Sequence, residues 1–289
     1  MNEPEPLKIA VVGAGAIGGW LAARLALAGH QVMALTAGGP IDTIDLIEGD
    51  RIEAATFAAF DGPADIVIIA VKATALAAAA PSAASLIGPD TLVLPMMNGV
   101  PWWFTDEPLR STDADGRVAR AVPRDRIVGA VVHASCSRPG PGRILVHHAD
   151  RLIVGEPDGG TSDRVGKVRA LFENAGIRCD ASDNVRRAVW YKLWGNATIN
   201  PLSALTRVTC DRILADPDCR GWMLAGMAEL AGIGAAIGCA IDESGEDRMA
   251  VTARLGAFKT SMLQDVEAGR PIELEALLGA PRACRTRAT

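Results

Sequence analysis

The chain has 289 residues, of which 49% are apolar and 22% are charged, and its net charge at pH 7 is −5. This length is enough for one large domain or two of ordinary size, each with a real core. The acidic balance offers no basic field to nucleic acid, and no apolar run reaches the ~18 residues of a membrane span.

A dinucleotide-binding pattern occupies the N-terminal region. Residues 8–12 predict a short buried strand, residues 19–29 a helix ended by glycine, and residues 31–35 the next strand. Three glycines separate the first strand from the helix. They permit a tight turn, a close approach of the backbone to a pyrophosphate, and packing of the helix on the strand. The alternative is a purely structural glycine turn. The predicted cofactor-binding residues of this turn are Gly13, Ala14, Gly15, Ala16, Ile17 and Gly18.

The end of the second predicted strand bears on the choice of cofactor. Residues 35–39 read Leu-Thr-Ala-Gly-Gly. They contain neither the acidic residue that binds the ribose of NAD nor an arginine for the 2′-phosphate of NADP. The missing carboxylate leaves a 2′-phosphate unrepelled, so we expect NADPH, with NADH as the alternative.

Two further predicted strands, 65–71 and 91–97, are each followed directly by a polar residue. These residues are Lys72 and Asn98. Because ligands of open α/β sheets bind at the carboxyl ends of strands, both are candidate cofactor or substrate contacts. The alternatives are a surface cation for Lys72 and a turn residue for Asn98, which precedes a glycine.

The rest of the chain divides into a strand-containing part and a helical part. We expect a helix over 73–80 interrupted by Pro81, and an exposed polar loop over 105–126. Strands are predicted over 127–133, 142–147, 151–155 and 177–179, and a helix over 162–175. After about residue 180 the pattern is helical. The predicted fold class is therefore α/β, with an N-terminal Rossmann-type dinucleotide-binding domain over 1–180 and an all-helical substrate and dimerisation domain over 181–289.

Lys192, Asn196 and Asn200 recur every four residues along one predicted helix and therefore share a face. Their neighbours are mostly aromatic or aliphatic. An amine and two amides are costly to bury without partners, and a bound polar substrate is one way to supply them. The alternative is a solvated face, or asparagines that cap a helix ending near Pro201.

These motifs, together with the segment 261–273, resemble the ketopantoate reductase (2-dehydropantoate 2-reductase) family over residues 8 to about 280. The most specific pieces are Lys192-Leu193, Asn200-Pro201-Leu202-Ser203-Ala204-Leu205 and Ser261-Met262-Leu263-Gln264-Asp265. The resemblance implies an oxidoreductase of pantothenate biosynthesis that acts on CH–OH groups. Its reaction would be the NADPH-dependent reduction of a small 2-oxo acid, ketopantoate or a related compound, to a 2-hydroxy acid.

The resemblance also implies roles for individual residues. Lys192 would be the proton donor, Asn196 and Asn200 would bind substrate, and Ser261 would hold its carboxylate. Glu273 would lie at the nicotinamide side of the site, and Lys72 and Asn98 would touch cofactor and substrate. The chemistry agrees, because an ammonium can stabilise and protonate the oxygen of a carbonyl that receives hydride. Burial would lower the lysine pKa and Glu273 would raise it. The alternative for Glu273 is a helix-surface carboxylate.

Four features depart from the family pattern. Ala37 stands where members often carry an arginine, and Cys210 lies where another polar substrate contact is common. Residues 102–104 form an aromatic cluster that either packs in the core or reshapes the substrate pocket. Residues 280–289 lack apolar periodicity, and we expect a shortened or altered C-terminus there. Loss of a packing helix would expose an apolar face that dimerisation covers.

Competing functions are a β-hydroxyacid dehydrogenase-like enzyme and a non-catalytic NAD(P)-binding sensor. The expected partners are a small-molecule 2-oxo acid and a second copy of the chain in a homodimer, with no nucleic acid and no membrane. The six cysteines and four histidines show neither disulfide nor metal-ligand spacing. We therefore expect no metal, and a reducing, cytoplasmic setting without a signal peptide.

Overall fold

The computed structural model describes residues 5–254 and 256–288, and gives only the backbone for Arg287 and Ala288. Contacts between residues divide the chain into two compact units. The first extends to Met97 and resumes at Asp115–Val185, and the second comprises Asn98–Ala114 and the chain from Arg186 onward. The predicted division at residue 180 differs from these units mainly in the segment Asn98–Ala114, which the sequence assigned to the first domain.

The first unit contains two sheets. Its strands are β1 (Lys8–Val12), β2 (Gln31–Thr36), β3 (Gly39–Ile41), β4 (Thr43–Glu48), β5 (Arg51–Thr56), β6 (Ile66–Ile69), β7 (Leu92–Pro95), β8 (Gly129–Gly140), β9 (Arg143–Gly155) and β10 (Cys179–Ser182). Its helices are α1 (Ala16–Leu27), α2 (Leu76–Ala84), α3 (Arg117–Ala121) and α4 (Asp163–Asn174), with short 3-10 turns at Ala73–Ala75 and Arg124–Arg126.

One sheet has the order β3-β2-β1-β6-β7. The pairs β1–β2, β1–β6 and β6–β7 are parallel, and β3 is antiparallel to β2. The other sheet has the order β10-β9-β4-β5, with β8 paired to β9. Strands β1, β2, β6 and β7 confirm the predicted Rossmann-type parallel sheet, whose carboxyl edge carries the predicted cofactor turn.

Helix α1 lies between the two sheets and contacts strands of both. This position explains why the helix is apolar almost all round, since Trp20, Leu21 and Leu25 are each no more than 2% exposed. The core around it joins residues of the parallel sheet, such as Ile9, to residues of the second sheet, such as Leu46.

Several local predictions for residues 39–126 were wrong. The β4–β5 hairpin and β3 were not predicted, because their short, mixed patterns resemble loops. Helix α2 passes through Pro81 rather than stopping there, and Ala80 and Ala83 on either side of the proline are buried. The expected exposed loop 105–126 contains α3 and buried side chains, among them Leu109. Tertiary packing overrides the local signal in these places.

The second unit is helical. Its helices are α5 (Val185–Thr206), which begins at the last residue of the first unit, α6 (Cys210–Ala215), α7 (Pro217–Ala236), α8 (Gly245–Ala253), α9 (Ser261–Glu267) and α10 (Ala280–Ala288), with a π-helical turn at Glu275–Gly279. Among the described residues, no helix is both long enough and apolar enough to cross a membrane.

Helix α5 is attached to α7 by two buried indoles. Trp190 Nε1 donates to the Leu230 carbonyl at 3.0 Å and Trp194 Nε1 to the Met227 carbonyl at 2.8 Å. Because each indole is apolar with one donor, this arrangement buries both rings and leaves neither N–H unpaired. The helix continues through Pro201 to Thr206, so the alternative in which the asparagines cap a helix ending near Pro201 is wrong.

The C-terminal segment is helical where the structure describes it. Residues 280–288 form α10. Ala280 and Cys284, four residues apart, are buried at 0% and 1% exposure, and Arg285 pairs with Glu229 of α7 at 2.7 Å. Two small residues one turn apart give too weak an apolar pattern to be seen in the sequence. Thr289 lies outside the described residues.

Two glycines of α7 allow a test of its packing on α5. A Cβ at Gly234 would lie 2.4 Å from Trp190 Nε1, whereas at Gly232 it would meet nothing within 4 Å. We expect Gly234→Ala to lower the free energy of unfolding by about 1–3 kcal/mol. Gly232→Ala should raise it by up to about 1 kcal/mol through helix propensity. Urea unfolding followed by circular dichroism measures both, and equal effects would contradict this packing.

Candidate functional site

The predicted cofactor turn has the backbone geometry of a phosphate-binding loop. Gly13 has a φ of +101°, and a Cβ there would lie 2.6 Å from Val71 Cγ1. A Cβ at Gly18 would lie 2.1 Å from the Gly13 carbonyl oxygen. The amides of Gly13 and Ala14 both donate to the Leu35 carbonyl, at 2.9 and 2.8 Å. Gly13 and Gly18 are therefore required by the fold itself.

Gly15 differs from its neighbours because its space is open. It is the N-cap of α1 without a side-chain cap, and the nearest atom to a Cβ there would be the Gly13 carbonyl oxygen at 4.0 Å. A side chain at Gly15 would occupy the approach to the first amides of α1, which include those of Ala16 and Ile17. These amides have no acceptor within the helix and lie at the positive end of its dipole. The turn thus fits the pyrophosphate of a dinucleotide.

The end of β2 carries no charged group. Thr36 Oγ1 donates to the Gly39 carbonyl at 2.9 Å and accepts from the Gly38 amide at 3.2 Å, closing the turn into β3. Ala37 is exposed. Arg51, the nearest later cation in the sequence, lies on β5 and pairs with Glu53 at 2.7 Å.

Lys72 and Asn98 follow neighbouring parallel strands, β6 and β7, as predicted. Lys72 is exposed and precedes the 3-10 turn Ala73–Ala75. Asn98 belongs by its contacts to the second unit, together with Lys192, Asn196, Asn200, Ser261 and Glu273. Each unit therefore carries its own group of the predicted residues, with the cofactor turn and Lys72 on the first.

Lys192 and Asn98 are joined by a hydrogen bond. Lys192 Nζ donates to Asn98 Oδ1 at 2.8 Å, across 94 positions of sequence. Glu273 is 9% exposed, and its carboxylate interacts electrostatically with the same ammonium. The alternative of a helix-surface carboxylate for Glu273 disagrees with this burial.

The pKa of Lys192 reflects two opposing effects. Burial lowers the pKa from 10.5 to about 8, although the Glu273 carboxylate acts to raise it. Desolvation therefore outweighs the ion pair, which sequence reasoning left open. An ammonium with a pKa of about 8 is a better proton donor near neutral pH than an ordinary lysine.

Asn196 and Asn200 continue the same face of α5. Asn200 is 6% exposed and Asn196 is partly buried. Neither amide has a hydrogen-bond partner among the described residues. Buried or half-buried amides without partners are uncommon in folded proteins. This face therefore presents the Lys192 ammonium beside two amides, and it is the amides that have unused hydrogen-bonding capacity.

Ser261 is attached to this face through its neighbour. Ser261 is the exposed first residue of α9, and Thr260 is the N-cap, whose Oγ1 accepts from the Leu263 amide at 3.1 Å. The Thr260 hydroxyl also donates to Ser203 Oγ at 3.0 Å, near the end of α5 beyond Asn200. Sequence reasoning missed Thr260. A threonine just before a helix is a capping signal, but nothing marked Ser203 as its partner.

The aromatic cluster after Asn98 is packing. Trp102 and Trp103 are 2% exposed and Phe104 is fully buried. The Phe104 ring stacks on Trp190, with centroids 6.0 Å apart and an interplanar angle of 28°. Cys210 is also buried, and burial raises the pKa of its thiol to about 11, so it is a neutral group at physiological pH.

A cavity of about 260 Å³ lies in the first unit but contains none of the predicted site residues. It is lined by Trp20, Arg24, Glu48, Ala149, Asp150, Arg151, Gly176, Ile177 and Arg178. The guanidinium groups of Arg24 and Arg151 are paired with carboxylates of Glu48, Asp150 and Asp180.

Family models match most of the chain. "Ketopantoate reductase PanE/ApbA" matches residues 9–159, and "Ketopantoate reductase PanE/ApbA C terminal" matches residues 184–286. The chain belongs to the ketopantoate reductase family. A 2-dehydropantoate 2-reductase of Mesorhizobium japonicum is 37% identical, over 95% of this chain and 90% of that protein.

Solved structures agree with this family. A ketopantoate reductase candidate from Ralstonia solanacearum MolK2 is 44% identical, with a TM-score of 0.90 over 98% of this chain and 92% of that one. The 2-dehydropantoate 2-reductase of Geobacter metallireducens GS-15 is 28% identical, with a TM-score of 0.84 over 98% and 94%. A D-mandelate dehydrogenase solved with NADH and anilino(oxo)acetate shares the fold, at 19% identity and a TM-score of 0.82.

The predicted family, fold class and enzyme class are therefore confirmed. The chain is an oxidoreductase that acts on CH–OH groups, in an NAD(P)-dependent family that reduces a 2-oxo acid to a hydroxy acid.

Proposed function

We propose that this protein reduces ketopantoate, or a closely related small 2-oxo acid, to the 2-hydroxy acid with NADPH, and that Lys192 is the proton donor. The observation that carries the proposal is the buried Lys192 ammonium, hydrogen-bonded to Asn98 and beside Glu273, in a chain of this family. Such a group serves the reduction of a carbonyl, because hydride transfer creates negative charge on the carbonyl oxygen. The family indicates that this carbonyl belongs to a 2-oxo acid.

Each residue has one task in the transfer of a hydride and a proton to the substrate. The nicotinamide, when bound, supplies the hydride that the substrate C2 accepts. The C2 carbonyl oxygen receives the displaced electron pair and takes a proton from Lys192 Nζ, which leaves a hydroxyl group and a neutral amine. Glu273 stabilises the ammonium form to which that amine returns when it takes a proton from water. Asn98 holds Nζ in place by accepting its hydrogen bond.

The remaining polar groups of the second unit bind the substrate. The amides of Asn196 and Asn200, which have no hydrogen-bond partner among the described residues, donate to its oxygens through their N–H groups. Ser261 Oγ donates to its carboxylate, and the Thr260–Ser203 hydrogen bond fixes the position of that hydroxyl. The buried Trp102 and Trp103 support this unit as packing residues.

The preference for NADPH rests on the end of β2. The stretch from Thr36 to Gly39 has no carboxylate to bind the ribose 2′-hydroxyl or to repel a 2′-phosphate. The first amides of α1 serve the pyrophosphate of either cofactor, and Lys72 is the cation we assign to the bound cofactor.

We also propose that the protein is a homodimer. The helical unit exposes large apolar side chains, including Leu205 at 79% and Trp222 at 49%, and a second copy is one way to cover them. A ketopantoate reductase of Staphylococcus aureus, 23% identical with a TM-score of 0.76, is described as dimeric. Light scattering should give twice the chain mass of 30.2 kDa, and a monomer at micromolar concentration would contradict the proposal.

A panel of 2-oxo acids tests the function. With ketopantoate, branched 2-oxo acids and aromatic 2-oxo acids, each with NADPH or NADH, we expect the fastest nicotinamide oxidation for ketopantoate with NADPH. Lys192→Ala should lower kcat by about 10²–10⁴-fold, the contribution of a positioned general acid. The matched control is Lys259→Ala, because Lys259 is an exposed lysine of the same unit that pairs with Glu267 at 2.7 Å.

The panel separates the alternatives. Cofactor binding without nicotinamide oxidation by any 2-oxo acid would favour a sensor. Turnover only in a second assay, with 3-hydroxy acids and the oxidised cofactor, would favour a β-hydroxyacid dehydrogenase-like enzyme. Full turnover by Lys192→Ala would remove the lysine from the mechanism.

The lysine pKa of about 8 predicts the pH dependence. Reduction requires the ammonium, so kcat should be constant below this pKa and fall about tenfold per pH unit above it. Oxidation of the hydroxy acid requires the neutral amine and should rise through the same pKa. Glu273→Gln removes the charge that raises the pKa, so the fall should begin at lower pH. An unchanged profile in Glu273→Gln would contradict their coupling.

A further inference from the structure

The segment Asn98–Phe104 joins the second unit at two places, and its first residue is the hydrogen-bond acceptor of Lys192. At one end, the Val100 amide donates to the Ala276 carbonyl at 2.9 Å. At the other end, the Phe104 ring stacks on Trp190 of α5, two residues before Lys192. The positions of both attachments are fixed by packing, since Val100 and Phe104 are no more than 1% exposed.

Gly99 is the residue that permits the first attachment. Its φ is +78°, in the region that disfavours residues with a Cβ. A Cβ there would lie 2.6 Å from the Ala276 carbonyl oxygen, 2.7 Å from its carbonyl carbon and 2.8 Å from its Cβ. The first two of these are backbone atoms that no side-chain rotation can move. Glycine is therefore needed for both the conformation and the close approach.

Ala276 belongs to the turn that also carries Glu273. The Leu277 amide donates to the Glu273 carbonyl at 3.2 Å, so the chain from Glu273 to Leu277 forms one continuous helical turn. Ala276 lies in the π-helical stretch Glu275–Gly279, a type of local widening that is frequent at functional sites. Through Ala276, the backbone beside Asn98 touches the backbone beside Glu273. Asn98 and Glu273 both act on the Lys192 ammonium.

We propose that Gly99 is a positioning residue, which sets the places of Asn98 and Glu273 around Lys192 by letting the backbone at 99–100 contact Ala276. This inference rests on the proposed function, because it assumes that Lys192 is the proton donor. It also gives the aromatic segment a role, since the stack of Phe104 on Trp190 ties the same segment to the helix that carries Lys192.

A pair of glycine variants tests the proposal. Gly269 has a φ of +63° and lies in the same unit, but a Cβ there would meet nothing within 4 Å. Gly99→Ala and Gly269→Ala therefore share the energetic cost of a positive φ, but only the Cβ of Gly99→Ala would clash with Ala276. We expect Gly99→Ala to lower kcat by about tenfold or more, with little change in KM for NADPH, and Gly269→Ala to stay near the native values.

The pH profile distinguishes positioning from a general loss of stability. Asn98 and Glu273 both favour the charged lysine, so their displacement in Gly99→Ala should move the fall in kcat to lower pH by about half a unit or more. Gly269→Ala should leave the profile in place. Equal kcat and equal profiles in the two variants would overturn the proposal.

An activity-independent measurement separates this inference from the proposed function. The chain has five lysines, Lys8, Lys72, Lys167, Lys192 and Lys259. Carbon-13 NMR of labelled lysine, with Lys192→Arg to identify its signal, gives the Lys192 pKa in each variant. If the native chain reduces no 2-oxo acid, the proposed function fails, yet a lowered pKa in Gly99→Ala still supports the positioning role. A native pKa in that variant refutes the role whether or not the enzyme is active.

A second variant covers the case in which Gly99→Ala does not fold. Phe104→Leu removes the stack on Trp190 without adding an atom near Ala276. Circular dichroism and NADPH affinity report whether each unit remains folded. We expect Phe104→Leu to shift the pH profile in the same direction as Gly99→Ala, by a smaller amount. A folded Phe104→Leu protein with native kcat and a native Lys192 pKa would count against the proposal.

Discussion

The second unit is organised around the burial of one ammonium group. Lys192 loses enough water contact for its pKa to fall to about 8, although Glu273 opposes the change. A buried cation without partners would be expelled or neutralised, so the fold must supply groups that stabilise it partially. Asn98 does this with a neutral acceptor at 2.8 Å and Glu273 with a charge. The balance leaves the lysine with a pKa of about 8, below that of an ordinary lysine.

Large apolar side chains hold the elements that maintain this balance. The indoles of Trp190 and Trp194 bind α5 to α7 and donate their N–H groups to carbonyls of α7. Phe104 extends the packing on Trp190 to the segment that carries Asn98. These contacts fix the position of the helix that carries Lys192 and of the segment that carries Asn98.

In the first unit, the residues that shape the predicted cofactor turn are close together in the sequence. Its predicted cofactor turn spans residues 13–18. A Cβ at Gly13 or Gly18 would lie less than 3 Å from other atoms, whereas a Cβ at Gly15 would meet open space. These requirements lie within one strand, one turn and one helix. The sequence alone predicted β1 and β2 to within one residue and α1 to within three. The second sheet was harder to predict. Its β4–β5 hairpin is short, and its register depends on pairing with β9, a strand that begins at Arg143.

The sequence by itself determined the fold class, the cofactor turn, the i, i+4 face of Lys192, Asn196 and Asn200, and the family. The sequence is sufficient for these features because each of them depends on a short pattern of neighbouring residues. Only the tertiary structure decided that Asn98 and Glu273 meet Lys192, that residues 98–114 pack with the helical unit, and that burial outweighs the carboxylate in setting the lysine pKa. Each of these depends on contacts between distant positions, whose distances and desolvation no local pattern contains.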